Sequence, residues 1–295
     1  MRYLDARTVL SAYAAENRWF GLNYNMNLYR GCTHGCIYCD SRSECYRNPD
    51  FDHVYAKRDA LRILRRELAA RRRCGVVGTG AMSDPYNPHE ARLCLTRGAL
   101  SLLAEAGFGA AITTKSDLVA RDADLLCRIA RQQPALVMMT VTCADDALCR
   151  VIEPRASAPS RRLRAVRALT DAGVLCGVLM MPVLPFLTDA WEQVAAVVHA
   201  AADAGARFIY PGFGVTLRGN QRAYFYQRLD EHFPGKSAAY RSAFGDQYEC
   251  ACPDAARLYE RFAALCRARG LRFRMRDIIA LYRAPYRDGQ LSLLL

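Results

Sequence analysis

Three cysteines stand close together near the start of the chain, at a spacing that suits metal chemistry. Cys32, Cys36 and Cys39 form a C-x3-C-x2-C pattern, so their thiolates could bind three irons of one iron–sulfur cube from a single tight loop. Gly31 and Gly35 would let the backbone turn that sharply. Because three ligands leave one iron open to bind another molecule, the pattern indicates a catalytic arrangement.

Two other interpretations of these cysteines stay open. A zinc site could use the same thiolates with Cys45 or His34 as the fourth ligand, or the cluster could be structural thiols brought together by chance. The chain has 13 cysteines and no apolar secretory signal at its start, so we expect a cytoplasmic protein without disulfides. Most remaining thiols are expected in the core, while Cys250, Cys252 and Cys266 stay undecided between a second metal site and packing.

The middle of the chain predicts the elements that must position this loop. Short apolar runs are typical of buried parallel strands, and amphipathic stretches lie between them. The runs cover residues 75–79, 109–114, 135–142, 174–181 and 207–211. Repeated strand–helix units predict an α/β fold with a parallel sheet, and the pattern alone fits either an open doubly wound sheet or a barrel.

Beyond Gly219 the strand pattern stops, and helical periodicity predicts a C-terminal extension. Its expected helices cover residues 221–232, 253–269 and 275–282. The predicted organisation is therefore a domain of residues 1–219 with the cysteine loop at 30–40, a helical extension of residues 220–289, and an exposed tail of residues 290–295. No apolar run approaches the roughly 18 residues that a membrane span requires.

The cysteine loop and several later motifs together resemble the radical S-adenosylmethionine (SAM) superfamily. Its pattern includes an aromatic residue directly before the last cysteine, here Tyr38, and the segments GAMSD at 80–84, TK at 114–115 and IEP at 152–154 are similar to the spore photoproduct lyase branch. YRGCTHGCIYCDSRSECY, GTGAMSDPYNP, TKSDLV, MPVLPF and GVTLRGNQRAYFY resemble the lyase-like members of that branch, whose substrates are largely unassigned. The resemblance covers most of the chain and implies a partial (β/α)6-type TIM-like barrel.

The resemblance implies the cofactors and the residues that contact them. Cys32, Cys36 and Cys39 would hold a [4Fe–4S] cluster, and SAM would chelate its open iron. An electron from a flavodoxin- or ferredoxin-type donor would cleave SAM to methionine and a 5′-deoxyadenosyl radical, which abstracts hydrogen from the substrate. The expected contacts are Tyr38 with the adenine, Ser83 and Asp84 with the amino group, Lys115 with the carboxylate, and Thr140 and Thr142 with the ribose. Loop packing, a helix or turn cap, a surface base and ordinary strand positions are the structural alternatives for these side chains.

One departure from the spore enzyme concerns the hydrogen donor. That enzyme returns a hydrogen atom from a cysteine near the second strand, where this chain has Ala81 beside Met82. Neither side chain carries a thiol, so this chain lacks the spore enzyme's hydrogen donor at that position. Cys45 and Tyr86 are alternative catalytic residues; a buried structural role competes for Cys45, and packing or substrate stacking competes for Tyr86.

The basic residues give a second indication of function. The net charge is +12, but only three of the 41 basic residues are lysines, a bias that a GC-rich genome also produces. Arg155, Arg161 and Arg162 are expected in one basic patch, and Arg218 and Arg222 near a run of aromatics; such groups suit phosphates and unstacked bases. A solvated arginine-rich face is the competing interpretation.

The last residues suggest a protein partner. Gln290, Leu291, Leu293 and Leu294 resemble the peptide by which bacterial repair proteins bind the DNA sliding clamp, although docking of the tail onto its own barrel also fits. The sequence therefore predicts a lyase-like radical SAM enzyme that repairs DNA lesions or modifies bases. The alternatives are a radical SAM modifier of RNA or of a peptide, and a non-catalytic iron–sulfur or zinc protein that binds nucleic acid.

Overall fold

The computed structural model describes residues 2–14, 19–80 and 82–286. The strands in these residues are β1 (Arg2–Leu4), β2 (Leu10–Ala12), β3 (Tyr24–Met26), β4 (Tyr29–Arg30), β5 (Tyr55–Lys57), β6 (Val76–Gly78), β7 (Gly109–Thr114), β8 (Ala135–Thr140), β9 (Leu175–Val183), β10 (Phe208–Thr216) and β11 (Glu249–Ala251). The helices are α1 (Ala60–Ala69), α2 (Glu90–Leu93), α3 (Leu95–Glu105), α4 (Ala123–Ala130), α5 (Asp146–Ile152), α6 (Pro159–Asp171), α7 (Trp191–Asp203), α8 (Gly219–His232), α9 (Lys236–Phe244), α10 (Ala255–Ala268) and α11 (Met275–Arg283).

The main sheet forms the barrel. Its order is β2, β3, β6, β7, β8, β9, β10 and β11, and the strands from β3 to β10 run parallel while β2 and β11 pair antiparallel at the two edges. These parallel strands and their crossover helices confirm the predicted α/β fold and the partial (β/α)6-type TIM-like barrel. The short strands β1, β5 and β4 form a separate sheet beside the cysteine loop.

The local sequence explains these elements. Every residue of β8 is buried, as expected for a parallel strand covered on both faces. Helix α1 buries Ile63, Leu64 and Leu68 and leaves its arginines outside, which is the spacing of an amphipathic helix. The active-site end of the barrel is the end at which the parallel strands finish, since loops there join several strands.

Two strands carry no clear sequence pattern and differ from the prediction. β3 has only three residues and pairs with β6, and β11 pairs with β10, placing Val215 opposite Cys250. The prediction that strands stop after Gly219 is therefore wrong. Both segments become strands because a neighbouring strand supplies hydrogen bonds, a tertiary effect that overrides weak local preference.

Residues after Gly219 complete the barrel core. Leu258 and Phe262 of α10 belong to the same apolar cluster as the strands, and Ile278 and Tyr282 of α11 pack with Phe20 in another cluster. The predicted boundary coincides with the first residue of α8. The described helices are all too short or too polar to span a bilayer.

Candidate active site

The cysteine loop begins directly after β4 and is held to the barrel by its backbone. Gly31 and Gly35 adopt φ values of +80° and +71°, which confirms the sharp turns expected there. The backbone N–H of Ile37 donates to Ile152 O at 2.9 Å, and that of Arg155 donates to His34 O at 3.0 Å. The segment after α5 therefore runs alongside the cysteine loop and fixes its position.

The three cysteines predicted to bind a cluster face one cavity. Cys32, Cys36 and Cys39 line a space of about 170 Å³ at the ends of the parallel strands, which we call the cysteine cavity. The other residues that line it are His34, Ser41, Phe51, Gly80, Met82, Ser83, Asp84, Thr113, Thr114, Lys115 and Thr140. Most of the side chains predicted to contact the cofactors thus meet at this cavity.

Lys115 supplies a buried cation to the cysteine cavity. Its Nζ lies 5.7 Å from the centroid of the Tyr38 ring. Burial by itself would lower the pKa of Lys115, but Coulombic attraction to the thiolate form of Cys36 and to the carboxylate of Glu153 raises this pKa to about 12. Burial raises the pKa of Cys32 to about 11, and it also raises the pKa of Cys36, where Lys115 acts in the opposite direction. A bound cationic metal would favour the thiolates further.

Ser83 and Asp84 line the cysteine cavity, and their oxygen atoms are engaged within the protein. The Asp84 carboxylate accepts from Thr114 Oγ1 at 2.6 Å and from the backbone N–H of Lys115 at 2.8 Å. The Ser83 hydroxyl donates to Gly31 O at 2.5 Å. These bonds join the ends of β6 and β7 to the cysteine loop, and the predicted contacts with the SAM amino group remain predictions.

The two threonines predicted near the ribose have different surroundings. Strand β8 ends at Thr140, which lines the cysteine cavity. Thr142 lies beyond the strand, and its Oγ1 donates to Glu153 Oε1 at 3.0 Å. Thr140 is therefore the better placed of the two to contact a ligand in this cavity.

Sequence reasoning missed the buried ion pair behind Tyr38. The Tyr38 hydroxyl donates to Glu153, and Arg162 forms an ion pair with the same carboxylate. The prediction that Arg162 belongs to a surface patch is wrong, because its side chain is fully buried. The spacing of Arg162 with Val166 and Leu169 on the buried face of α6 was the sequence signal that could have revealed this.

A larger cavity adjoins the cysteine cavity. It measures about 540 Å³ and is lined by Tyr38, Cys39 and residues of β9, β10 and β11, and we call it the sheet cavity. Cys39 lines both cavities, so a molecule in the sheet cavity would lie next to a group bound by the cysteines.

An arginine and two aromatic rings lie beside the sheet cavity. Asp40, which lines that cavity, pairs with Arg218 at 2.5 Å. The Arg218 guanidinium lies 5.1 Å from the ring centroid of Tyr46 and 5.0 Å from that of Tyr248. Arg218, which the sequence predicts to contact nucleic acid, therefore lies next to the site with its guanidinium over two aromatic rings.

The two candidate hydrogen donors lie outside these cavities. Cys45 is exposed in the turn that follows the cysteine loop. Tyr86 is 1% exposed, and its hydroxyl donates to Asp122 at 3.0 Å. Neither residue is part of the lining of the cysteine or the sheet cavity. The substituted position Ala81 lies outside the described residues, as do Gln290, Leu291, Leu293 and Leu294 of the tail.

The other predicted nucleic-acid contacts differ in their availability. The side chains of Arg155 and Arg161 are 57% and 59% exposed and pair with Asp52 at 3.9 Å and with Asp117 at 2.8 Å. The Arg222 guanidinium donates to backbone carbonyls near the end of β10 and near β11, including Leu217 O at 2.9 Å. Arg155 and Arg161 therefore keep accessible charge, whereas Arg222 fastens two backbone segments together.

The arrangement of the thiols favours a multinuclear metal group. Within the described part of the chain, no three His, Cys, Asp or Glu side chains come close enough to hold a single ion. Thiols spread around one cavity suit a cluster, whose irons are separate binding points. Cys250 lies in a different apolar cluster from Cys252 and Cys266, so these three do not converge.

Comparisons with known proteins identify the family and the fold of the chain. The model of the Radical SAM superfamily matches residues 26–198. An uncharacterized protein of Mycobacterium tuberculosis is 35% identical over 228 residues, which cover 75% of this chain and 67% of the relative. A spore photoproduct lyase double mutant with bound AdoMet and dinucleoside spore photoproduct has a TM-score of 0.62 at 15% identity, covering 86% of this chain and 77% of that one. The methyltransferase TsrM from Kitasatospora setae, with cobalamin and a [4Fe-4S] cluster bound, has a TM-score of 0.53 at 13% identity and covers 85% and 52%.

Proposed function

We propose that this chain, which belongs to the radical SAM superfamily and is an enzyme, acts on nucleic acid, either repairing a DNA lesion or modifying a base. Its cofactors are those of the superfamily, a [4Fe-4S] cluster and SAM. When bound, they supply a 5′-deoxyadenosyl radical that removes a hydrogen atom from the substrate. This membership argues against the alternative of a non-catalytic binding protein.

The residues of the cysteine cavity fit these cofactors. Cys32, Cys36 and Cys39 would hold the cluster, since all three thiols face one space. Lys115 would pair with the SAM carboxylate, because a buried ammonium group with a raised pKa stays charged at neutral pH. Tyr38 would border the adenosine moiety, since it lines the sheet cavity next to Cys39.

The sheet cavity is the observation that carries the nucleic-acid proposal. Its volume of about 540 Å³ lies within the range of about 300–1,000 Å³ typical of small-molecule sites, so it can hold one base but not a duplex. A base would have to leave the helical stack to reach it, as in other enzymes that act on bases. Arg218, which pairs with Asp40 and lies over Tyr46 and Tyr248, places a cation and aromatic rings beside this cavity, a combination found in sites for unstacked nucleotides.

The fold relatives support the same substrate class. A spore photoproduct lyase structure contains a dinucleoside spore photoproduct, and this chain shares its fold. Cys45 and Tyr86, the candidate hydrogen donors, lie outside both cavities, so we propose a reaction on nucleic acid without assigning the spore lesion as its substrate.

Isotope transfer tests the proposal directly. The protein is reconstituted anaerobically with iron, sulfide and SAM, reduced with a flavodoxin- or ferredoxin-type donor, and given oligonucleotides with deuterated, damaged or unmodified bases. We expect deuterium in 5′-deoxyadenosine from at least one DNA substrate, with single strands reacting faster than duplexes. Transfer from RNA or peptide substrates, with none from DNA, would move the assignment to a modifier of those molecules.

The C-terminal tail would recruit the enzyme to replicating DNA. We propose that residues 290–295 bind the bacterial sliding clamp, a suggestion that rests on the sequence of Gln290, Leu291, Leu293 and Leu294. Removal of residues 290–295 should abolish binding to the purified clamp and leave SAM cleavage unchanged. Equal clamp affinities of the full and shortened chains would contradict this partner.

A further inference from the structure

One buried carboxylate behind the cysteine loop gathers four hydrogen-bond donors. Glu153 is 1% exposed. It accepts from Thr142 Oγ1 at 3.0 Å and from Cys149 Sγ at 3.2 Å, and it also accepts from the Tyr38 hydroxyl and from the guanidinium of Arg162. The function proposed above assigns no role to this carboxylate.

One donor, Tyr38, is 115 residues from Glu153, and the other three lie within 11 residues of it in the sequence. Tyr38 belongs to the cysteine loop, Thr142 follows β8, and Arg162 belongs to α6. Ile152 and Arg155, on either side of the carboxylate, bond to the backbone of the cysteine loop as well. Glu153 therefore fastens the loop to the barrel at the position immediately before Cys39.

The ion pair keeps this carboxylate charged and its partners fixed. Burial alone would raise the pKa of Glu153, but the charges of Arg162 and Lys115 and the hydroxyl of Tyr38 lower it to about 2. An ionised carboxylate only accepts hydrogen bonds, so the hydroxyl of Tyr38 has to point toward it. The ring of Tyr38, whose centroid lies 5.7 Å from Lys115 Nζ, lines the sheet cavity.

We propose that the Glu153–Arg162 ion pair is a positioning device for the cofactor site. It holds Tyr38 and Cys39 in place where the cysteine and sheet cavities meet, and thereby sets the affinity for SAM and the environment of the cluster. This inference rests on the cluster and SAM site of the proposed function. It assigns no chemical step to Glu153 itself.

The chain contains a matched control elsewhere. Glu90 is fully buried, accepts from the Tyr29 hydroxyl at 2.5 Å and pairs with Arg121 at 2.8 Å. This is a similar combination of tyrosine, glutamate and arginine, except that Arg121 is 25% exposed and also pairs with Asp122 at 2.7 Å. Glu90 lines neither cavity. Glu90→Gln therefore reports the general effect of neutralising a buried glutamate of this kind.

The test compares the reconstituted Glu153→Gln and Glu90→Gln enzymes with the wild type. The readouts are the dissociation constant of SAM, the electron paramagnetic resonance spectrum of the reduced cluster with and without SAM, and the melting temperature. Loss of an outer partner of a metal site typically costs about 10- to 100-fold in affinity or activity, so we expect Glu153→Gln to weaken SAM binding by about that factor and to change the spectrum. Glu90→Gln should keep both properties at wild-type values.

Further variants keep the test decisive if Glu153→Gln does not fold. Tyr38→Phe removes only the hydroxyl and leaves the ion pair intact, and it should weaken SAM binding to a similar degree. Glu153→Gln combined with Arg162→Met removes both charges, which avoids leaving one charge buried alone. Tyr38 and Glu153 act together. A variant with both Tyr38→Phe and Glu153→Gln should therefore lose less SAM-binding free energy than the sum of the two single losses.

The outcomes separate this inference from the proposed function. The positioning role alone would be overturned if Glu153→Gln and Glu90→Gln had the same SAM affinity and the same cluster spectra. It would also be overturned if Tyr38→Phe bound SAM with wild-type affinity. A wild-type protein that assembles no cluster and binds no SAM would instead contradict the proposed function.

Discussion

The ammonium nitrogen of Lys115 lies 5.7 Å from the centre of the Tyr38 ring. One residue follows β7 and the other belongs to the cysteine loop, so the fold brings a cation against the loop that carries the three thiols. In a buried environment water screens such a charge only weakly, so the charge interacts strongly with groups nearby. This relationship makes Lys115 the most informative single residue for testing the cofactor site.

Replacing Lys115 with methionine should weaken SAM binding. A hydrogen bond to a charged group contributes about 1.5–3 kcal/mol, which corresponds to a loss of about 10- to 140-fold in affinity. Lys57→Met is the control, because the Lys57 ammonium donates to Thr8 O at 3.0 Å and lines neither cavity. Equilibrium binding to the reconstituted proteins measures the difference, and equal affinities of the two variants would rule out the carboxylate contact.

Single replacement of Cys32, Cys36 or Cys39 by alanine should prevent assembly of the cluster. We expect iron and sulfide content to fall to background and SAM cleavage to stop, because each thiolate would bind its own iron. Cys74→Ala is the matched control, since Cys74 is exposed and its thiol donates to Ala106 O at 3.6 Å. A Cys36→Ala protein that retained a full complement of iron would contradict the assignment.

Gly31→Ala should disrupt the cysteine loop more than a positive φ alone explains. A Cβ at Gly31 would lie 1.9 Å from His53 O, whereas a Cβ at Gly173, which has a φ of +90°, would meet nothing within 4 Å. The left-handed conformation itself costs about 1–2 kcal/mol, so Gly173→Ala should lower the free energy of unfolding by about that amount. Gly31→Ala should lower it further and reduce iron content. Similar melting temperatures and iron contents for the two variants would show that the loop can move away from His53.

Arg155→Gln should weaken binding to single-stranded DNA in a salt-dependent way. Its side chain is 57% exposed, and its guanidinium donates to Thr33 O in the cysteine loop. Loss of one phosphate contact lowers the slope of log affinity against log salt by about 1. Arg62→Gln removes the same charge from α1, where the side chain is 76% exposed, and should leave the slope unchanged. Identical slopes for both variants would place the nucleic acid away from Arg155.

The cysteine loop and most of the framework can be predicted from the sequence alone. Cys32, Cys36 and Cys39 lie within one short segment, so their spacing and the two glycines are local properties. Strands such as β7 and β8 follow from continuous apolar runs that need burial on both faces. Helix α1 follows from its periodic apolar face. These signals depend on neighbours along the chain, and they are readable without the fold.

The contacts that support the cysteine loop depend on the folded structure. Tyr38 and Glu153 are 115 residues apart, and nothing in the local pattern says that their side chains meet. Arg162 looks like a surface cation by residue type, yet the fold buries it because Glu153 balances its charge. Strands β3 and β11 form because partner strands complete their hydrogen bonds. Local patterns record which groups prefer burial, whereas the pairing of buried charges and of strand edges depends on distances that exist only after the chain has folded.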